Sequence, residues 1–436
     1  MIGERGHRAC AKSWPGRVVG KGDNRVAVTG LGMVTPVGLN VQSSWEALLA
    51  GTSGGGPITQ FDPDGYATRI ACEVKGFDPA DYMGRKEIRR FDRFAHMAVA
   101  AAEQAMQAGG LSGTPSGCAP VDFGVIMASG VGGIATLEAN VHTLAAKGPR
   151  RVSPFFIPMF IPDIAAGLLS IRYGLQGPNY ATVSACASGS HAIGDAVRYI
   201  QRGEAKLMLA GGAEAAVTPI TIAGFAAMKA MSRRNDDPEG ASRPFDASRD
   251  GFVIGEGAGC LLLEDMKHAR DRGAEILGEV AGYGATGDAF HITAQPPDAM
   301  GAQHAMRLAL ADAGLDVADV DYINAHGTST PQNDSTETFA IKAVLGPHAY
   351  DVVVGSTKSM TGHLLGAAGA IEAVMCVLAC RTGKIPPTIN FRERDEACDL
   401  EYAHAGMVER PVAVALNNSF GFGGHNACLA IRRYEE

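Results

Sequence analysis

Two stretches of this sequence share one pattern: AMRLALADAGL (residues 305–315) leads into VDYINAHGT (residues 320–328), and AAAEQAMQAGGL (residues 100–111) leads into VDFGVIMASG (residues 121–130). In each copy an amphipathic helix ends at glycine and a short apolar strand follows. The copies lie about 200 residues apart, which is close to half of the 436-residue chain. That separation is far longer than the period of a solenoid. The pattern therefore predicts a duplicated α/β domain.

Each half has a similar beginning. The segment RVAVTGLGMVTPVG (residues 25–38) is an apolar strand that ends in a glycine-rich turn, and GEVAGYGATG (residues 278–287) loosely repeats it. We expect an N-terminal half over residues 25–277 and a C-terminal half over residues 278–436, with the active site between them. Residues 1–24 carry five Lys and Arg side chains and no apolar run. They are expected to form a disordered basic extension.

Composition limits the classes of function. The chain has 46% apolar residues and 56 glycines, which suits a layered α/β enzyme with a large core better than a helical bundle. A net charge of −8 argues against a general nucleic-acid binder, because phosphate binding requires a basic field. Nine scattered cysteines without a CxxC pair indicate a reducing compartment, so we expect a cytoplasmic protein.

No segment is predicted to span a membrane. The most apolar stretch, residues 152–171, contains three prolines and Asp163, so it is expected to form a buried loop and the start of a helix. A dinucleotide site is not predicted either. The GLG turn at residues 30–32 lacks the GxGxxG spacing, and Pro36 interrupts the place where the helix should begin.

A nucleophilic cysteine is predicted at Cys186, within ATVSACASGSHAIGDA (residues 181–196). A β-type run changes there to a helical pattern rich in small residues, which places the thiol on a sharp turn at a helix N-terminus. The helix dipole is expected to lower the pKa of that thiol. The other eight cysteines lack this context and are interpreted as small buried residues; they are Cys10, Cys72, Cys118, Cys260, Cys376, Cys380, Cys398 and Cys428.

Three further motifs lie in the second half. They are NAHGTSTP (residues 324–331), STKSMTGHLLGAAGAIE (residues 356–372) and NNSFGFGGHN (residues 417–426). The first two carry histidines in loops at strand-to-helix transitions, where functional residues concentrate. The second also carries a lysine and a glutamate that can neutralise each other if buried. The third predicts backbone N–H groups aimed at an oxyanion.

These four motifs, in this order and spacing, closely resemble the elongating β-ketoacyl-acyl-carrier-protein synthases of the thiolase-fold superfamily. The resemblance covers residues 25–431, and its type II branch is nearest, from SPFF at residue 153, RPFDASRDGFVIGEGAG from residue 243 and STKSMTG from residue 356. It implies a thiolase-like, duplicated five-layer αβαβα fold with mixed sheets. It also implies decarboxylative condensation of an acyl group with a malonyl unit, in fatty-acid elongation.

The resemblance also implies roles for individual residues. Cys186 forms the acyl thioester, while His326 and His363 donate hydrogen bonds to the malonyl thioester oxygen. Lys358 and Glu372 balance charge and order the site. The backbone N–H groups of Cys186 and Phe422 form the oxyanion hole, with Phe422 as gate to the acyl pocket. The expected substrate and pantetheine contacts are Thr328, Thr330, Val131, Phe225 and Phe420. Val131 is smaller than the isoleucine frequent there, so longer acyl chains are expected to enter.

The expected partner is an acyl-carrier protein, which is acidic and brings its own phosphopantetheine, so no resident cofactor is expected. The implied basic docking residues are Lys86, Arg89, Arg90, Arg150, Arg151 and Lys229. A homodimer is expected, with no nucleic-acid or membrane partner. No metal is required, although the family sometimes holds a monovalent cation at positions that match Asn324, Glu372, Asn417 and Asn418.

Four alternatives remain at the sequence level. A ketosynthase of a type II polyketide system shares every motif. A non-catalytic chain-length subunit shares the fold without the nucleophile. A thiolase requires a second catalytic cysteine in the C-terminal glycine-rich loop, whereas Cys428 lies past it. An initiating, type III synthase carries asparagine in the role that His363 fills here.

Overall fold

The computed structural model describes residues 25–435, so the predicted N-terminal extension lies outside the described residues. The strands are Val26–Val34 (β1), Gly56–Pro57 (β2), Ile70–Ala71 (β3), Phe123–Ala128 (β4), Asn179–Tyr180 (β5), Leu207–Glu214 (β6), Gly257–Asp265 (β7), Gly278–Gly287 (β8), Tyr322–Asn324 (β9), Val353–Gly355 (β10), Lys384–Ile385 (β11), Val408–Glu409 (β12), Val414–Gly421 (β13) and His425–Arg432 (β14). The α-helices are Val41–Leu49 (α1), Arg85–Ile88 (α2), Arg93–Ala108 (α3), Ile134–Lys147 (α4), Phe156–Phe160 (α5), Ile164–Tyr173 (α6), Ser188–Gln201 (α7), Pro219–Ala227 (α8), Met266–Asp271 (α9), Met300–Ala313 (α10), Pro331–Leu345 (α11), Lys358–Thr361 (α12) and Ala368–Thr382 (α13).

The strand order of the ten-stranded sheet shows the duplication. From its outer edge to the middle, the first half has the order β5-β4-β6-β7-β1, and the second half has β10-β9-β13-β14-β8. By order of appearance within each half, both are 3-2-4-5-1. In each half the outer three strands are parallel to one another. The fourth strand, β7 or β14, runs antiparallel to both of its neighbours. The halves meet at β1 and β8, which pair through Ala27–Glu279 and Val28–Gly278.

Helices form the other layers. The central helices α7 and α13 each contact strands of both halves, which places them between the two five-stranded portions of the sheet. Helices α3 and α6 cover the outer face of the first half, and α10 covers that of the second. This is a mixed-sheet α/β fold with the duplicated layering expected from the sequence. The repeated helix-to-strand pattern corresponds to α3–β4 and α10–β9.

The glycine-rich turn predicted at residues 30–32 was wrong, because GLG lies inside strand β1, where its glycines have a packing role. Gly30 and Gly32 lie against the backbone of α3, where a Cβ on either would collide with the carbonyl oxygens of Ala105 and Ala101. Because the strand must approach the helix this closely, only glycine fits. This part of β1 therefore belongs to the core.

Helix α13 is a long apolar helix. Residues 365–382 are long and apolar enough to cross a membrane by composition, but 83% of that stretch is buried inside the fold. Helix α13 contacts strands of both halves, as a core helix does. Because it is buried on all sides, it has no polar face.

The prediction for residues 152–171 was wrong in part. This stretch contains α5 and the start of α6, but Phe155 and Ile157 are exposed to solvent. The neighbouring α4 also exposes Val141 and Leu144. The apolar run therefore covers a surface of the first half and is not a buried loop.

Candidate active site

The loop around Cys186 is a sharp turn, as predicted. Ala185 adopts a left-handed φ of 51°, and the Ser188 hydroxyl donates to the Ala185 carbonyl at 2.6 Å while accepting from the Ser184 amide at 2.8 Å. Helix α7 begins at Ser188, two residues after the cysteine. The turn leaves Cys186 partly exposed at a cavity of about 320 Å³. The β-type run predicted over residues 181–185 was wrong, since β5 ends at Tyr180 and those residues form a loop that leads into the turn.

His326 lies two residues after β9 and is fixed through its backbone. The amides of His326 and Gly327 both donate to the carboxylate of Glu337, each at 2.8 Å. Asn418 donates to the same carboxylate at 3.1 Å. The imidazole is 3% exposed and lines the cavity.

His363 comes from the loop between α12 and α13, and the first half holds its backbone. Its amide donates to the Val253 carbonyl at 2.7 Å, and its carbonyl accepts from the Gly255 amide at 2.9 Å. The ring Nε2 lies 3.0 Å from the Cys186 Sγ. The ring centroid is 5.3 Å from that of His326. One donor atom from each of Cys186, His326 and His363 falls within 4.8 Å of the others.

Lys358 and Glu372 form a buried ion pair beside the histidines. The Lys358 Nζ donates to Glu372 Oε1 at 2.5 Å, and both side chains are 1% exposed. Burial raises the pKa of Glu372 to about 7, although Lys358 lowers it. Each charge is buried against its partner, and the positive charge of Lys358 lies close enough to both imidazoles to lower their pKa values.

Burial controls the titration of the three reactive groups. It holds the pKa of both imidazoles well below 6.5, and the Lys358 charge lowers them further. Burial also raises the pKa of the Cys186 thiol to about 12, with Lys358 opposing the shift. The predicted lowering of that thiol pKa was therefore wrong, because burial raises it by more than the Lys358 charge and the nearby backbone N–H groups lower it. At neutral pH all three groups are uncharged.

The glycine-rich loop after β13 faces the thiol. The backbone N–H groups of Phe422 and Cys186 lower the pKa of the thiol and so oppose the effect of burial, and both residues line the cavity. Gly421 packs against this turn so closely that a Cβ would lie 2.8 Å from the Ser184 carbonyl oxygen and 3.0 Å from the Cys186 amide. Two converging N–H groups at one atom are the arrangement that stabilises a developing oxyanion.

The cavity brings most of the expected binding residues together. Its lining includes Thr328, Thr330, Phe225, Phe420, Phe422 and Lys229. The hydroxyls of Thr328 and Thr330 are 2.9 Å apart. Val131 is not part of this lining; it packs instead in the apolar cluster that includes Cys186, Phe225 and Leu365. The cavity therefore has a polar wall along one side and an apolar region behind the thiol.

The residues expected to hold a monovalent cation are all fully buried. Within residues 25–435, the oxygens without a hydrogen-bond partner include Asn324 Oδ1, Glu372 Oε2, Asn417 Oδ1 and Asn418 Oδ1. Asn324 and Asn417 are paired in register between β9 and β13, and α13, which carries Glu372, packs on β13. Unpaired buried oxygens are costly, and oxygens alone suit a hard cation. However, Asn417 and Asn418 face opposite sides of β13, toward Gly369 and toward Glu337 and Met306 respectively, so a monovalent cation near these residues stays a prediction.

The comparisons with known proteins agree with this geometry. The sequence matches the model of the β-ketoacyl synthase N-terminal domain over residues 23–269, and that of the C-terminal domain over residues 277–392. The chain belongs to the β-ketoacyl synthase family. It is similar to a 3-oxoacyl-[acyl-carrier-protein] synthase 2 of Synechocystis sp., with 53% identity over 411 residues (94% of this chain, 98% of the relative). The enzyme of that name from Coxiella burnetii is 50% identical over 409 residues, with 94% and 98% covered.

A solved complex gives the structural comparison. A type II polyketide ketosynthase bound to a hexaketide, in complex with its acyl-carrier protein, has a TM-score of 0.87 and 35% identity. The match covers 94% of this chain and 100% of that one. The resemblance stated from the motifs, and the thiolase-like fold that it implied, are confirmed.

The basic residues of this β-ketoacyl synthase are only partly brought together. Lys86, Arg89, Arg90, Arg150 and Arg151 are all exposed. Arg90 stacks over Phe155 at 5.2 Å, which links α2 to the segment that begins with the other two arginines. None of these five lines the cavity, whereas Lys229 does.

Several residues of the site were not predicted from the sequence. Phe252 packs edge-on against His363 at 5.4 Å and against Phe225 at 5.3 Å. Glu337 holds His326, and Glu214 holds two loops near the thiol. A buried carboxylate cannot be told from a surface one in a single sequence. The one available signal for Phe252 was its place in the glycine-rich segment that follows Arg243.

Proposed function

We propose that this β-ketoacyl synthase elongates fatty acyl chains by condensing acyl-acyl-carrier protein with malonyl-acyl-carrier protein, which yields 3-oxoacyl-acyl-carrier protein and CO2. One observation carries the proposal. A thiol, two neutral imidazoles and a pair of converging backbone N–H groups meet at a single cavity. This set can form a thioester and then stabilise an enolate next to it.

The first step transfers the acyl group. The Cys186 sulfur attacks the thioester carbonyl, and the oxyanion is held by the amides of Cys186 and Phe422. As the bond to the pantetheine sulfur breaks, the thiol proton passes to that sulfur, with His363 Nε2 at 3.0 Å as the relay. Because the thiol pKa is raised, proton removal is coupled to attack.

The second step uses the histidines as hydrogen-bond donors. The malonyl thioester oxygen accepts from His326 and His363 while the bond to the departing CO2 breaks, and its electrons form the enolate. The enolate carbon attacks the acyl thioester, and Cys186 leaves as a thiolate that takes a proton from solvent. Neutral imidazoles donate without adding charge. Within the described residues neither Nδ1 has a partner, so neither tautomer is locked.

The choice of pathway rests on the relatives. Those at 53% and 50% identity are synthases named for 3-oxoacyl-acyl-carrier-protein formation. A polyketide ketosynthase is the second candidate, supported by the solved complex at 35% identity. A non-catalytic chain-length subunit is disfavoured, because Cys186 and both histidines are present and assembled.

The direct test is a mass spectrum of the intact protein after incubation with a mixed pool of acyl-acyl-carrier proteins. We expect one acyl adduct, on the peptide that contains Cys186, and its loss with formation of a 3-oxoacyl product after malonyl-acyl-carrier protein is added. No adduct with any chain length would refute the proposed function. Extension by repeated malonyl units to a polyketide would favour the second candidate.

Between pH 8 and 6 the decarboxylation step should lose no activity through protonation of its two histidines, although Glu372, whose pKa is raised to about 7, titrates in this range. The pKa values of His326 and His363 lie well below 6.5, so both imidazoles stay neutral and the loss of activity starts only at lower pH. Replacing Lys358 with methionine, together with Glu372→Gln, removes the charge that lowers these pKa values. The acid limb of the profile should then move up toward 6.5. CO2 release from malonyl-acyl-carrier protein measures this, with Lys342→Met as the surface control. A wild-type midpoint near 6.5 would contradict the assignment.

We infer that the partner protein docks on the basic surface of α2 and Pro149–Arg151. Acyl-carrier proteins are acidic, so opposite charges should steer the encounter. The triple change Arg89→Glu, Arg90→Glu and Arg150→Glu should raise KM for carrier-bound substrates about tenfold with little change in kcat. Acyl-pantetheine without the protein is the matched substrate control, and Arg410→Glu is the matched variant. An unchanged KM would remove the docking assignment.

We further propose a homodimer that works in the cytoplasm without a resident cofactor. Supporting the dimer, β5 is an edge strand of the sheet, and the neighbouring elements α4, α5 and α6 expose Leu144, Ile157 and Ile171. An open edge beside exposed apolar side chains is typical of a surface that a second copy covers. Supporting the compartment, the eight cysteines among residues 25–435 are all unpaired.

A further inference from the structure

Glu214 is a buried carboxylate to which the steps above give no role. It is the last residue of β6 and is 0% exposed. Its Oε2 accepts from the amides of Gly130 at 2.7 Å and Gly366 at 2.9 Å. Its Oε1 accepts from the Ser129 hydroxyl at 2.8 Å and the Val131 amide at 3.3 Å. Within the described residues no ion pair includes Glu214, so four hydrogen bonds alone hold its charge.

The donors come from two loops in opposite halves of the fold. Ser129, Gly130 and Val131 follow β4 in the first half. Gly366 belongs to the second half and comes three residues after His363. The loops touch through backbone, since a Cβ on Gly366 would collide with the Gly130 amide. The Glu214 carboxylate bridges the two loops at the point where they meet.

Both loops reach the reaction centre. Val131 from one and Leu365 from the other pack in the same apolar cluster as Cys186 and Phe225, and Leu365 also lines the cavity. Leu365 itself has a left-handed φ of 47°, a conformation that costs energy unless neighbouring bonds hold it. The relative position of the two loops therefore determines the shape of the apolar region behind the thiol.

We propose that Glu214 is a positioning residue that fixes the loop of Val131 against the loop of His363, and thereby sets acyl-chain-length selectivity. The proposal rests on the proposed function, because it concerns the acyl chain that Cys186 carries. Glu214 acts through the Val131 and Gly366 amides and does not itself touch substrate. Glu214 therefore couples the depth of the apolar region behind the thiol to the position of His363.

The variant Glu214→Gln separates the two contacts. Its carbonyl oxygen can keep the Gly130 and Gly366 amides, while its NH2 group donates to the Ser129 hydroxyl and faces the Val131 amide. The glutamine NH2 group and the Val131 amide are both donors, so this one hydrogen bond is lost while those from the Gly130 and Gly366 amides remain. We expect the ratio of Cys186 acylation rates for long and short acyl chains to change about fivefold or more. Malonyl decarboxylation should stay within about twofold of wild type.

The variant Glu214→Asp tests the bridge as a whole. Its carboxylate is one methylene shorter and cannot reach both loops. Chain-length selectivity should change, and decarboxylation should also fall, about tenfold. The amide of Val131 should lose hydrogen-exchange protection in both variants, and the amide of Gly366 only in the aspartate variant. These exchange readouts do not depend on activity.

The matched control is Glu264→Gln. Glu264 is also a fully buried carboxylate of the first half, and Thr29 and Arg272 bind it. It is expected to lower stability without altering the chain-length ratio. An unchanged ratio in Glu214→Gln, or a uniform loss that matches the Glu264 control, would overturn the positioning role. Failure of wild-type acylation in the same assay would instead refute the proposed function.

Discussion

Replacing Cys186 with alanine should lower the rate of 3-oxoacyl formation at least about 10⁴-fold, because the covalent route through the acyl thioester is lost. No other cysteine can substitute. The remaining seven cysteines of residues 25–435 are absent from the cavity lining. The product is measured as 3-oxoacyl-acyl-carrier protein by mass spectrometry, with saturating acyl and malonyl substrates.

The two half-reactions should respond differently to the loss of Cys186. The Cys186→Ala protein should still release CO2 from malonyl-acyl-carrier protein, since both histidines remain in place. Cys118→Ala is the matched control, because Cys118 is a partly exposed thiol outside the cavity lining, and it should behave as wild type. Condensation that persists in Cys186→Ala would remove the covalent mechanism altogether.

Replacing either His326 or His363 with alanine should lower malonyl decarboxylation about 10²- to 10³-fold, the loss typical of removing one donor from a preorganised oxyanion site. The physical reason is the dry environment. Both imidazoles are 3% exposed, so water cannot easily replace the missing N–H group. CO2 release under single-turnover conditions measures the effect.

The two histidines should differ in the first half-reaction. His363 Nε2 is 3.0 Å from the Cys186 sulfur, so His363→Ala should also slow acylation. His326→Ala should leave acylation within about tenfold of wild type. The exposed His304 on α10 provides the control variant. Equal losses in both half-reactions for both histidines would contradict the division of roles.

Much of the fold followed from the repeated pattern. The α3–β4 and α10–β9 units are at the predicted positions, and the identical strand order of the two halves confirms the duplication. Helix ends at Gly109 and Gly314 were also predicted correctly. Residues 152–171 were misinterpreted, because an apolar run on a surface has the same composition as a buried one. Their exposure depends on what packs beside them.

Part of the candidate site could also be predicted from the sequence. Cys186, His326, His363, Lys358 and the loop of Phe422 stand in motifs whose residue types and spacing indicate their chemistry. Glu214 and Glu337 stand in no such motif. Their importance comes from hydrogen bonds to amides 84 and 11 residues away in sequence, and those contacts exist only when the chain is folded.

The sequence by itself determined which groups are available: one cysteine on a turn, two histidines, a lysine with a carboxylate partner, and a glycine-rich loop. The duplicated chain also determined that the cysteine would come from one half and the histidines from the other. Only the tertiary structure decided how those groups are charged. Packing removes water from them, so the thiol is protonated at rest and the imidazoles are neutral. The predicted lowering of the thiol pKa was a local argument, and desolvation by distant segments outweighs the charge and the backbone N–H groups that lower it.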